Sequence, residues 1–159
     1  MSGKSAKIAA LIDSCRGKEF DPHYLGYFEC FNRQLFYEAH DVLEELWLTD
    51  RHGRHGDFYK GLIQFAGAFV HLQKDCARYP RLRPAAALFK LAQGYLRPYA
   101  PEHERLAVSW VLQTAALWQQ QLERDGYTIN PLLSQPPPEL KLLRGEDKEV
   151  EGQSRGALG

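Results

Sequence analysis

The stretch FYKGLIQFAGAFVHLQK, residues 58–74, is apolar on almost every side of a helix. Wound at about 100° per residue, Phe58, Tyr59, Leu62, Ile63, Phe65, Ala66, Phe69, Val70 and Leu72 cover nearly its whole circumference. A helix of this kind has to be surrounded by other elements, because an apolar surface that wide cannot face water. Its exceptions fall on a single line, Lys60, Gln64, Gly67 and His71, one helical turn apart from one to the next. The chain around this helix must therefore supply packing partners on most sides and polar partners on one.

The rest of the sequence supplies helices. Ile8, Leu11 and Ile12 repeat at helical spacing and close on Gly17. Pro22 opens a second helix in which Tyr24, Tyr27, Phe28 and Phe31 recur at three and four residues. Asn32 is placed to cap or link into a third helix, Arg33 to about Leu48, with Leu35, Ala39, Val42 and Leu46 on one stripe. The loop RHGRHGD, residues 51–57, ends in Asp57, a capping residue for the central helix. Pro84 suits the first turn of a helix over Ala85 to Leu96, and Pro98 stops it. Pro101 then starts a long helix through Arg124, with Gly126 as its stop. No strand-like alternation competes. The expected fold is all-α, a single-domain helical bundle of five or six helices with an extended C-terminal tail. Residues 1–20 form an N-terminal helix and linker, residues 21–133 the bundle, and residues 134–159 a proline-rich, charged, mostly disordered tail.

The third helix carries the complementary polar feature. In YEAHDVLEELW, residues 37–47, His40 lies roughly 90° from the centre of the apolar arc, on its shoulder. Glu44 follows one turn later, where an i,i+4 pair can touch, and Trp47 stands between His40 and the core. Glu38 falls on the opposite shoulder. An unpaired buried amide or imidazole costs about 1–3 kcal/mol, so the line on the central helix needs partners, and His40 and Glu44 are the natural ones. His40, Glu44 and His71 are then candidate ligand or metal donors, N, O and N, of the type that suits zinc or a non-haem metal. Gln64, Trp47, Lys60, Asn32 and Gly67 are the expected lining, with Gly61 and Gly67 allowing close approach. The same residues also suit a closed hydrogen-bond network with no ligand at all.

Sharper templates do not fit. HExxH, the Glu-x-x-His pairs of di-iron bundles, GxSxG and the glycine-rich phosphate loops are absent. A metal-assisted hydrolase with His40 as base and Glu44 orienting it is a third reading, without an assignable nucleophile, so no reaction class follows. His52 and His55, flanked by Arg51 and Arg54, are placed to lid a site or to be solvated. Trp110 and Trp118 suit a core or a homodimer seam. Twenty Lys and Arg balance twenty Asp and Glu, which argues against a nucleic-acid partner. The N-terminal apolar run, IAALI, is too short for a signal core or a membrane span. Three cysteines at wide spacing form neither a disulfide framework nor a zinc motif, which points to the cytoplasm. The sequence leaves the cofactor unknown, with a divalent metal among the candidates, and the small-molecule ligand unknown.

The two strings FNRQLFYEAHDVLEELW and GLIQFAGAFVHL together resemble the family called domain of unknown function 309. The matching positions are Phe31, Asn32, Glu38, Ala39, His40, Glu44 and Trp47, then Gly61, Leu62, Ile63, Gln64, Ala66 and His71. The resemblance covers roughly Tyr27 to Leu96. It implies an all-helical bundle with the two polar lines facing each other, and it implies no activity. After His71 the family tends to a short basic, glycine-containing turn, from which QKDCARYPRLRP departs.

Overall fold

The computed structural model describes residues 6–144, which form six α-helices and no β-strand. These are α1 (Ala6–Ser14), α2 (Pro22–Asn32), α3 (Phe36–Asp50), α4 (Gly56–Lys74), α5 (Leu82–Leu96) and α6 (Val108–Arg124), with short 3-10 turns at Arg97–Tyr99 and Pro131–Leu133. As its composition demands, α4 is the central helix, packed between α3 and α5. In turn α2 covers α3, α6 covers α5, and α1 leans on α2.

Local chemistry accounts for most boundaries. Asp21 caps α2 by accepting a hydrogen bond from the His23 backbone N–H at 2.8 Å, with Pro22 in the first turn. Gln34, at φ 63°, reverses the chain before α3. The cap of α4 is His55, not Asp57, and its side chain makes no capping bond. Ile8, Leu11 and Ile12 of α1 are buried in the common core.

An aromatic spine ties the bundle together. Phe31 of α2 stacks on Phe65 of α4 at 5.5 Å and meets Phe36 of α3 edge-on at 4.9 Å. Phe69, one turn beyond Phe65, contacts Phe36, Phe89 of α5 and Trp118 of α6 at 5.1, 5.2 and 5.0 Å. Each such pair adds about 0.5–1.5 kcal/mol beyond the area it buries. Trp118 is therefore core, whereas Trp110 and Leu117 leave apolar surface of α6 exposed. No described helix is long and apolar enough to cross a membrane.

One expectation is overturned. Pro101 does not begin the last helix, which starts at Val108. Residues 103–106 instead make a two-residue hairpin turn: the His103 and Leu106 backbones bond each other at 3.1 and 2.8 Å, with Glu104 and Arg105 left-handed at φ 48° and 59°. That conformation costs about 1–3 kcal/mol per non-glycine residue. It is held because Leu106 is buried and the Tyr24 hydroxyl donates to the Glu104 carbonyl at 2.8 Å. The extended tail up to Arg144 is anchored at two points. Asn32 grips the Leu140 backbone with two 2.7 Å hydrogen bonds, Leu140 is 1% exposed, and the Leu143 N–H donates to the Arg105 carbonyl at 2.7 Å. The disorder expected beyond Arg144 lies outside the described residues.

Candidate functional site

Along the seam between α3 and α4 two contacts set the register. Lys60 Nζ lies 4.5 Å from the Trp47 ring centroid, and Lys74 Nζ lies 5.3 Å from that of Tyr37. The two contacts show α3 and α4 running antiparallel, with the Trp47 end of α3 beside Lys60 and its Tyr37 end beside Lys74. Lys60, Gln64, Gly67 and His71 are all half-buried, as are His40, Glu44 and Trp47. The polar line is thus the one open edge of an otherwise enclosed helix.

Within the seam His40 Nε2 lies 3.8 Å from Glu44 Oε2, with side-chain exposures of 34% and 42%. At that distance and exposure the pair contributes at most about 0.3–0.5 kcal/mol. The more informative atoms are the other ring nitrogens. Nδ1 of His40 and Nδ1 of His71 are both buried without a hydrogen-bond partner. Burial, then the charges of Arg81 and Lys74, pushes the His71 pKa below its ordinary value, so its ring is neutral at pH 7. A neutral imidazole has one donor and one acceptor nitrogen to satisfy.

The remaining expected lining residues have other neighbours. A Cβ on Gly61 would sit 2.6 Å from Leu96 Cγ, so Gly61 serves the approach of α5, and one on Gly67, on the polar line itself, would sit 3.1 Å from Leu88 Cδ1. Asn32 clamps the tail, beside an open cavity of about 1100 Å³ lined also by Cys15, Phe28, Arg105 and Leu140.

A second cluster arises where the sequence offers a lid or a solvated loop and a helix. His55 Nδ1 lies 2.8 Å from His103 Nε2, and His55 Nε2 lies 3.9 Å from Glu104 Oε1. Burial and the neighbouring His55 and Arg54 push the His103 pKa down, against the opposing charge of Glu104. Among the described residues, His55, His103 and Glu104 are the group whose ligand atoms fall within 4.8 Å of one another; His40, Glu44 and His71 are not brought to that spacing. His103 and Glu104 went unnoticed because a helix over residues 101–107 gives them no reason to meet His55. The adjacent His and Glu of PEHER, a second histidine-bearing polar segment, were the available signal.

A bundle of six helices whose most enclosed helix keeps one half-buried polar edge defines an all-α domain. Residues 24–79, spanning nearly all of α2 and all of α3 and α4, match the family described as domain of unknown function (DUF309). The match contains every seam residue and ends at Tyr79, before α5. No curated protein and no solved structure matches the chain.

Proposed function

We propose that the α3–α4 seam binds a small molecule carrying an anionic group, with His40, Glu44 and His71 as its polar contacts and Trp47 as its apolar wall. The observation that supports this most is the pair of buried, unpartnered Nδ1 atoms on His40 and His71. A closed structural network would satisfy them, since each unmade buried bond costs about 1–3 kcal/mol. Lys74 and Arg81, whose charges act on His71, favour an anion, and Glu44 suits a hydroxyl or amine of the same molecule. An organic ligand that bridges two imidazoles fits better than a metal ion at this seam, because the three donors stand too far apart to share one.

The test is imidazole 15N NMR of His40 and His71 during titration with small carboxylates and phosphate monoesters. At least one compound is expected to shift both rings, and His40→Ala and His71→Ala to abolish its binding with little loss of stability. If no compound moves either ring, and His40→Ala lowers stability by the about 1–3 kcal/mol of a broken buried network, the seam is structural and the proposal fails.

A further inference from the structure

Away from the seam, two loops distant in sequence converge on one point. His55 closes the turn before α4, and His103 and Glu104 stand in the hairpin before α6. One ligand atom from each lies within 4.8 Å of the other two. We infer that His55, His103 and Glu104 form a divalent-metal site, a two-imidazole, one-carboxylate set of the type that holds Zn2+.

The two imidazoles need little adjustment. At 2.8 Å the facing nitrogens of His55 and His103 share one proton in an N–H···N bond. When the donor ring carries its proton on its other nitrogen instead, both facing lone pairs are free for an ion. Two nitrogens bound to one ion at about 2.0–2.1 Å stand about 2.9–3.4 Å apart for angles of about 90–110°. The pair therefore opens by only about 0.1–0.6 Å.

The ligands are also held from behind. The His103 ring packs edge-on against Phe58 at 4.6 Å and beside Tyr99 at 4.7 Å, while His55 lies 5.9 Å from Tyr59. The Tyr24 hydroxyl donates to the Glu104 carbonyl at 2.8 Å, and the Tyr99 hydroxyl to the Arg54 carbonyl at 3.0 Å. Both loops are thus fastened to helical or core elements, which fixes donors before an ion arrives. Arg54 opposes a cation here, whereas Arg105 is turned away into a 2.8 Å ion pair with Glu19. His55 and Glu104 side chains remain 24% and 26% exposed, leaving a side of the ion open to water, as in zinc sites with three protein ligands.

The experiment is titration of the full chain, purified without a polyhistidine tag, with Zn2+ against a chromophoric chelator and with Co2+ followed by visible absorption. One ion per chain is expected, with affinity reduced about tenfold or more in His103→Ala and in His55→Ala. His55→Ala guards against misfolding, because that side chain caps nothing in α4. The His40→Ala/His71→Ala double variant is expected to bind as the unaltered chain does. No stoichiometric binding, or full binding by folded His55→Ala, overturns the assignment. So does loss of binding confined to the double variant, which would move the ion to the seam.

Discussion

The closeness of α4 to α5 can be tested with one substitution made in two places. Gly61 lies in α4 and Gly94 in α5, both inside helices, so replacing either by Ala gains the same intrinsic helix preference, about 0.8–1.0 kcal/mol. The surroundings differ. At Gly61 the new Cβ would lie 2.6 and 2.8 Å from Leu96 Cγ and Cδ2 and 3.2 Å from Tyr95 Cβ, whereas at Gly94 nothing lies within 4 Å. Ordinary carbon contacts are about 3.5–4.0 Å. Leu96 is fully buried, so it cannot swing away, and Tyr95 Cβ moves only with the backbone. Overpacking of this kind costs about 1–3 kcal/mol. Gly94→Ala is therefore expected to stabilise by up to about 1 kcal/mol, and Gly61→Ala to fall about 1–3 kcal/mol below it. Urea denaturation followed by circular dichroism measures both, with an unchanged slope showing that stability alone has moved. If Gly61→Ala stabilised as much as Gly94→Ala, the described packing of α5 on α4 would be wrong.

Two further expectations concern the seam and the tail. His71 has a lowered pKa in the folded chain, so below about pH 6.5 the unfolded chain takes up its proton first; stability then falls as pH drops from 7 toward 5, and His71→Gln should flatten part of that slope in urea titrations. Asn32→Ala removes both side-chain bonds to Leu140, which should cost about 1–2 kcal/mol and speed amide exchange at Leu140 and Leu143, with α4 unaffected; unchanged exchange there would contradict the clamp.

The six helices, and α4 at their centre, were legible in the sequence because helical periodicity, caps and proline positions act over a few residues. The line of His40, Glu44, Gln64 and His71 was legible for the same reason: its spacing is a property of single helices. Which glycine faced which neighbour was not, since Gly61 and Gly67 fit a ligand or α5 equally well until α5 was placed. The turn at Glu104 and Arg105 was beyond local reading altogether. Pro101 favours a helix there, and contacts with remote residues, the pull of Tyr24, the burial of Leu106 and the docking of Leu143 among them, hold two non-glycine residues left-handed. The meeting of His55 with His103, 48 residues away, depends on that turn. Local preference decided the helices of this protein, and contacts between remote segments decided where its histidines meet.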